Sequence, residues 1–129
     1  HCRKAYADLI KTLKKPAYAN LNGIIHCFSG DAREATVLVE MGFKLGIGGV
    51  ITYKNTTLFE DIKHISLDHL VLETDSPYLT PVPFRGQPNS PKNIPLIAQK
   101  LGDLYQVSVE EVIAKTTASA RLLKAHSGF

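Results

Sequence analysis

The sequence has little that would place it in or beyond a membrane. No apolar run approaches the roughly 20 residues that a bilayer span requires, and the N-terminus lacks the basic-then-apolar layout of a secretory signal. The chain has only two cysteines, Cys2 and Cys27, without a CxxC spacing, and a chain of 129 residues does not need a disulfide to hold its core. We therefore expect no membrane contact, a reducing cytoplasmic location, and cysteines that serve as small buried hydrophobic residues.

An initiator methionine is also missing. The chain opens with His1 and its only methionine is Met41, so we expect residues 1–129 to be one partial domain of a longer protein. A composition of 44% hydrophobic and 21% charged residues, with no biased tract, excludes disordered and fibrous classes. The formal net charge of +3 permits contact with phosphates but does not require it.

Short apolar segments alternate along the chain with amphipathic patterns of helical period. Strands are predicted over 24–28, 43–47 and 69–74, and helices over 5–13, between 31 and 42, from about 55, over about 93–105 and over about 108–125. Almost continuously apolar strands are typical of a parallel α/β sheet covered on both faces. The first helix lacks a preceding strand, which we place immediately before His1, so the chain would make about four βα units.

The segment from 76 to 92 interrupts this alternation. Six of the seven prolines lie between Pro77 and Pro95, and proline is excluded from helix interiors and from the interior of a sheet. We predict a long ordered loop at the top face, where the strands end.

Four βα units fit either a small doubly wound sheet of flavodoxin type or half of a (β/α)₈ TIM-type barrel, whose usual size of about 250 residues is about twice this length. Length favours the half-barrel. Gly46, Gly48 and Gly49 match neither the dinucleotide fingerprint nor the P-loop, which weakens the nucleotide-binding alternative. We interpret these glycines as positions where a strand end bends or a substrate backbone comes close.

Three polar residues occupy predicted strand ends, where parallel α/β folds carry their functional groups. His26 lies late in an apolar strand, Asp75 follows another, and His1 would terminate the missing one. Two imidazoles and a carboxylate suit Zn²⁺, Mn²⁺ or a similar ion, although such a site would be incomplete. On position alone, His26 also fits a hydrogen-bonded core residue and Asp75 a turn cap.

Several basic residues lie in or beside the predicted top-face loops. They are Arg3, Lys54, Arg85 and Lys92. Each could hold a phosphate, although ordinary solvated charge is the commoner role of such residues, and Arg85 is the strongest candidate of the four.

Four motifs stand in order along the chain: HCR at 1–3, HCFSG at 26–30, GVIT at 49–52 followed by KN at 54–55, and ETDSPYL at 73–79. Downstream come Pro81, Pro83, Arg85, Gly86, Asn89 and Pro91. In order and spacing these motifs resemble the TatD family of metal-dependent deoxyribonucleases, and the resemblance covers essentially the whole chain.

The resemblance implies a (β/α)₈ barrel with one or two divalent ions, Mg²⁺, Mn²⁺ or Zn²⁺, that hydrolyses phosphodiester bonds in DNA, of which this chain resembles the C-terminal half. By matching motifs, His1 and His26 would ligate one metal, and Asp75 would ligate the other and help to activate water. Arg85 and Asn89 would belong to the loop that borders the substrate. We interpret Glu73 as supporting the fold rather than binding metal.

The family's early His-x-His pair and its bridging Glu are absent from these residues, so we expect weak activity or none from the chain alone. A second hypothesis is a non-catalytic half-barrel that associates with another copy or with its own N-terminal half. An open sheet of four units has two free edges and an apolar inner face, which favours such association.

Overall fold

The structure, a computed structural model, describes residues 1–127, and the side chains of residues 1–123. Three parallel strands form one sheet in the order β1 (Gly23–Ile25), β2 (Phe43–Ile47) and β3 (Leu70–Leu72). The helices are α1 (Tyr6–Leu13), α2 (Ala32–Glu40), α3 (Leu58–Ile62), α4 (Ile94–Tyr105) and α5 (Val109–Ser127). The alternation of strands and helices confirms the predicted α/β class, and among residues 1–127 no strand precedes α1.

Local sequence explains why α2 begins and ends where it does. The Asp31 side chain accepts a hydrogen bond from Glu34 N at 2.8 Å, and the Glu34 side chain accepts one from Asp31 N at 2.8 Å. This reciprocal capping box satisfies two amide groups at the helix start. Gly42, at φ 93°, adopts the left-handed conformation that stops the helix.

The core lies between the sheet and the helices that cover it. Its fully buried side chains include three from the sheet (Leu45, Ile47, Leu70) and five from α2 to α5 (Leu38, Ile62, Ile97, Leu101, Val112). Each such side chain contributes about 1.5–3 kcal/mol relative to an exposed position. The strand register places Leu45 of the central strand beside Ile25 on one side and Leu70 on the other, so the apolar core is continuous across the sheet.

Two strands and one helix are shorter than predicted. Strand β1 ends at Ile25 rather than at residue 28, and β3 ends at Leu72 rather than at residue 74. The cause is the backbone just beyond, because Cys27 and Asp75 have φ values of 50° and 56°, which no strand accommodates. Helix α3 spans only Leu58–Ile62, several residues later than the predicted start near residue 55.

The segment between β3 and α4 contains no regular element until Pro91, and its backbone is held by internal hydrogen bonds. Phe84 N donates to Pro81 O at 2.9 Å, and Asn89 N donates to Pro77 O at 2.9 Å.

In residues 1–127 none of the helices has the length and apolarity that a bilayer crossing requires.

Candidate active site

The ends of the two outer strands bring the predicted site residues together. His26 follows β1 directly and Asp75 follows β3 by a short turn. His26 Nε2 lies 3.5 Å from Asp75 Oδ1. The rings of His1 and His26 lie 5.6 Å apart between centroids, with planes tilted by 43°. The three residues that the sequence placed at strand ends are therefore neighbours in space.

A glycine on the central strand makes this meeting possible. A side chain at Gly46 would overlap Glu73 Oε2 and would lie 3.3 Å from Cys27 N. Because Gly46 has no side chain, Glu73 extends across β2 and places its Oε1 atom 2.9 Å from His26 Nδ1. That oxygen is buried, and among the described residues it has no partner with hydrogen-bond geometry, so His26 Nδ1 contacts it only at ion-pair distance. Glu73 therefore positions a candidate ligand, which is more specific than the support of the fold expected for it.

The Glu73 contact sets the orientation of the imidazole. A carboxylate oxygen is only an acceptor, so this contact favours the tautomer with its proton on Nδ1, which leaves the lone pair on Nε2. The Glu73 side chain is 17% exposed, whereas those of His26 and Asp75 are 36% and 37% exposed. The orienting carboxylate is thus inside the protein and the two candidate ligand atoms are open to solvent, an arrangement common behind metal-binding histidines.

The donor atoms fit part of a metal site. In the tautomer with the proton on Nδ1, His26 Nε2 and Asp75 Oδ1 are both acceptors, so a cation between them would satisfy both. Two ligands about 2.1 Å from a tetrahedral zinc ion lie about 3.4 Å apart, close to the 3.5 Å found here. Among the described side chains, no three of His, Cys, Asp or Glu are grouped closely enough to hold an ion. The described residues therefore supply an incomplete site.

Both strand ends carry strained backbone at residues other than glycine. Cys27 has φ 50°, Asp75 has φ 56°, and Lys4, beside Arg3, has φ 52°. Such a conformation costs about 1–3 kcal/mol per residue and is concentrated at functional sites. Two of the five described residues other than glycine with positive φ therefore lie in the turns that carry His26 and Asp75.

The two cysteines are half-buried and form no disulfide. Burial, and then the negative charges of Glu73 and Asp75, raise the pKa of the Cys27 thiol, while Arg3 opposes them. A thiol with a raised pKa stays protonated at neutral pH and is a poor metal ligand. This agrees with the predicted role of Cys27 as a small apolar residue, although it lies in a turn and not on the strand expected for it.

Asn89 lies inside the loop that follows Asp75. The residue is 6% exposed. Its Nδ2 donates to Thr74 O at 2.9 Å and Tyr78 O at 2.8 Å, while its Oδ1 accepts from Ser90 N and Asn93 Nδ2, each at 2.9 Å. All of these partners belong to the chain itself, so the amide fixes the loop beside Asp75.

The basic candidates are all exposed, and the guanidinium of Arg85 packs on an aromatic ring. Its guanidinium lies 3.9 Å from the centroid of the Tyr53 ring, and the Tyr53 hydroxyl donates to Thr80 O at 3.0 Å. Lys54 follows Tyr53 in the chain. Arg3 lines an open cleft with Tyr6, Ser29 and Asp31. Sequence reasoning missed Tyr53, which has no motif that would single it out.

The other two glycines after β2 accommodate the chain itself. A side chain at Gly49 would overlap Leu79 O and would lie 2.9 Å from Pro81 N, and one at Gly48 would lie 3.4 Å from Glu73 O. The long loop therefore crosses directly over these residues. The predicted close approach exists, but the approaching backbone is the protein's own.

Comparison with known proteins places this arrangement in a family. A family model described as TatD related DNase matches residues 1–124. The chain belongs to the TatD family. This confirms the resemblance expected from the motifs at the strand ends.

Relatives of the TatD chain include the uncharacterized metal-dependent hydrolases YabD of Bacillus subtilis (strain 168), 38% identical over 124 residues, and YcfH of Escherichia coli (strain K12), 37% identical over 118 residues. The matches cover 95% and 91% of this chain but only 49% and 44% of those proteins. The chain thus spans about half the length of the curated relatives it matches.

Solved structures of TatD proteins share the fold. The YJJV TatD homolog from Escherichia coli K12 has a TM-score of 0.82 at 30% identity, covering 91% of this chain and 45% of that one. A TatD family hydrolase from Entamoeba histolytica has a TM-score of 0.81 at 26% identity, covering 93% and 48%. The three-stranded sheet and its helices are therefore a TatD-like α/β arrangement.

Proposed function

We propose that this chain is the C-terminal half of a (β/α)₈ barrel that hydrolyses phosphodiester bonds in DNA with divalent metal ions. The observation that carries the proposal is the 3.5 Å separation of His26 Nε2 from Asp75 Oδ1 at the ends of two parallel strands. The family and the names of its metal-dependent relatives support the hydrolase class. A strand before His1 would precede α1 as β1, β2 and β3 precede α2, α3 and α4, which would give four βα units.

In this proposal His1, His26 and Asp75 hold one or two ions of Mg²⁺, Mn²⁺ or Zn²⁺. When bound, such an ion lowers the pKa of its water to about 7 and withdraws charge from the phosphoryl oxygen. Glu73 keeps the proton on His26 Nδ1 so that Nε2 faces the site. Asp75 would hold the ion through Oδ1 and accept the proton of the attacking water at Oδ2, which makes Asp75 the catalytic residue of this half.

The exposed cations bind the phosphates on either side of the scissile bond. Arg85, held over the Tyr53 ring, Lys54 beside it, and Arg3 near His1 are the candidates, because guanidinium and ammonium groups recognise phosphate oxygens. Asn89 acts indirectly, since its amide fixes the backbone of Thr74 and Tyr78 on both sides of Asp75.

The proposal requires further ligands from outside this chain, because the described residues hold no complete group of three. We therefore expect the chain alone to bind Zn²⁺ or Mn²⁺ weakly and to cleave DNA slowly or not at all. A longer protein that joins this chain to the other half of such a barrel should cleave a labelled oligonucleotide with added Mn²⁺.

The test uses Asp75→Asn and His26→Gln, each made in the chain alone and in the longer protein. Asp103→Asn on α4 is the matched carboxylate control. Calorimetry should show that the two site variants lose Zn²⁺ affinity, and the longer protein carrying either one should lose at least about 100-fold in cleavage rate. Normal metal affinity and normal cleavage in Asp75→Asn would overturn the proposal.

A second candidate is a half-barrel whose role is association, and two exposed side chains favour it. Ile24 is 46% exposed on β1, which is an edge of the described sheet, and Ile113 on α5 is 47% exposed. An edge strand with an apolar side chain invites pairing. Sedimentation should then show a dimer that Ile24→Lys dissociates, whereas a monomer at high concentration would count against this function.

A further inference from the structure

Tyr6 begins helix α1 and contacts the turn that follows His26. The residue is 5% exposed, and its hydroxyl oxygen accepts a hydrogen bond from Ser29 N at 3.0 Å. Its ring meets the Phe28 ring edge to face, with centroids 5.4 Å apart and planes at 67°. One side chain therefore contacts two consecutive residues of this turn, through a directional polar contact and an apolar one.

The hydrogen bond of Tyr6 links the first helix to the sheet. Among the described residues, no other hydrogen bond runs from residues 1–13 to the strands or to the turns after them. The turn itself is fixed to the central strand, because Phe28 N donates to Gly46 O at 3.0 Å. The position of α1 relative to the end of β1 therefore depends on Tyr6 for its polar contact.

The place of His1 depends on the position of α1, because His1 stands five residues before Tyr6. Cys2 packs against the hydrophobic core, but an apolar contact has no preferred direction. A hydrogen bond does have one, so the bond from Ser29 N to the Tyr6 hydroxyl also orients the start of the helix. The rings of His1 and His26 lie 5.6 Å apart between centroids, and this separation follows from how the helix start is held on the turn.

We propose that Tyr6 is a positioning residue that holds His1 beside His26. The inference rests on the proposed function, because these two imidazoles belong to the proposed metal site. Ligands must be held to within about 0.5 Å by the residues behind them, and the contact of Glu73 constrains the ring of His26 only. Tyr6 supplies the constraint between the two histidines. This constraint exists without a metal, so it can be measured in the metal-free chain.

The test compares Tyr6→Phe with the wild-type chain by nuclear magnetic resonance, first in EDTA. The substitution keeps the ring that packs on Phe28 and removes only the oxygen that accepts from Ser29 N. Hydrogen exchange of the Ser29 amide should become at least about tenfold faster, because water replaces the hydroxyl as its partner. The nuclear Overhauser effect between ring protons of His1 and His26 should weaken at least about twofold, because the two rings are held together less firmly.

Tyr105→Phe is the matched control. It also removes a tyrosine hydroxyl with backbone partners, Ile62 O and Ile65 O at the end of α3, so it should lower stability without changing either measurement. Zn²⁺ is then added stepwise to all three proteins and followed through the ring signals of the two histidines. Only Tyr6→Phe should bind the ion more weakly, by about fivefold, which is less than the loss of a direct partner of a ligand.

Three results would overturn the inference. They are unchanged Ser29 exchange and ring contact in Tyr6→Phe, equal changes in Tyr105→Phe, and a normal Zn²⁺ affinity in Tyr6→Phe. A wild-type chain that binds no Zn²⁺ would instead refute the proposed metal site, and the exchange and ring contact in EDTA would then decide the role of Tyr6 by themselves.

Discussion

The carboxylate of Glu73 occupies the space that a side chain on Gly46 would fill. Gly46 belongs to the central strand, whereas Glu73 follows β3 and its partner His26 follows β1. The missing side chain therefore lets groups from the two outer strands meet, with Glu73 Oε1 2.9 Å from His26 Nδ1. The orientation of His26, a candidate metal ligand, thus depends on Gly46, which is not a candidate ligand itself.

Glu73→Gln is expected to weaken metal binding by the chain. The amide carries no negative charge and therefore holds the imidazole less firmly, and removal of an orienting partner typically costs 10- to 100-fold in affinity. Calorimetric titration with Zn²⁺ measures the effect. Glu60→Gln, on the exposed surface of α3, is the matched control, and an equal affinity in the two variants would contradict this role of Glu73.

Gly46→Ala is expected to act through the same contact. The new methyl group meets the end of a flexible side chain, so Glu73 swings aside, and we expect only about 1 kcal/mol of lost unfolding free energy. Zn²⁺ affinity should nevertheless fall about tenfold, and the double variant with Glu73→Gln should bind no more weakly than the weaker single variant.

Gly23→Ala provides the control for Gly46→Ala, because its methyl group would lie 3.7 Å from the Phe43 ring at ordinary contact distance. Urea denaturation and Zn²⁺ titration should leave this variant close to wild type. Additive losses of affinity in the Gly46→Ala, Glu73→Gln double variant would show that the two residues act independently.

Features that depend on neighbouring residues could be predicted from the sequence. The capping box of Asp31 and Glu34 and the limits of β2 are confirmed, since capping and apolar patterning act over a few residues. The juxtaposition of His26 and Asp75 could also be anticipated, because the carboxyl ends of parallel strands share one edge.

The contacts within the site could not be predicted in the same way. Cys27 and Asp75 end their strands by adopting positive φ, a conformation that these residue types do not signal. The packing of Glu73 against Gly46 and the contact of Arg85 with the Tyr53 ring each join residues about 30 positions apart. Single-sequence patterns carry no information about such pairs, so they predict neither the contact of Glu73 with Gly46 nor the position of Tyr53.

Asn89→Asp is expected to destabilise the protein by about 3 kcal/mol. The substitution replaces the two N–H donors that face Thr74 O and Tyr78 O with an oxygen that repels both carbonyls in a buried position. Urea denaturation measures the loss. Gln87→Glu makes the same chemical change at an exposed position of the loop and should change stability by less than about 0.5 kcal/mol. Similar losses in both variants would show that the buried network does not hold the loop.

Tyr105→Phe is expected to remove about 1–2 kcal/mol of stability and to change its pH dependence. The Tyr105 hydroxyl donates to Ile62 O and Ile65 O, each at 3.0 Å, and so satisfies carbonyls at the end of α3. Burial raises the pKa of Tyr105 to about 12, whereas the unfolded chain titrates at about 10. The protonated hydroxyl therefore stabilises the fold fully below about pH 10, and this contribution is lost as the pH rises towards 12.

Urea midpoints of wild type and Tyr105→Phe, compared at about pH 8 and about pH 11, test this linkage. At about pH 8 the wild type should be more stable than Tyr105→Phe. This difference in stability should narrow at about pH 11, because only the wild type loses the protonated hydroxyl. Lysine and the other tyrosines titrate in both proteins and cancel in the comparison. Tyr18→Phe, at an exposed position, should show no difference from wild type at either pH. A gap between wild type and Tyr105→Phe that stays constant would mean that the folded and unfolded chains hold this proton equally well.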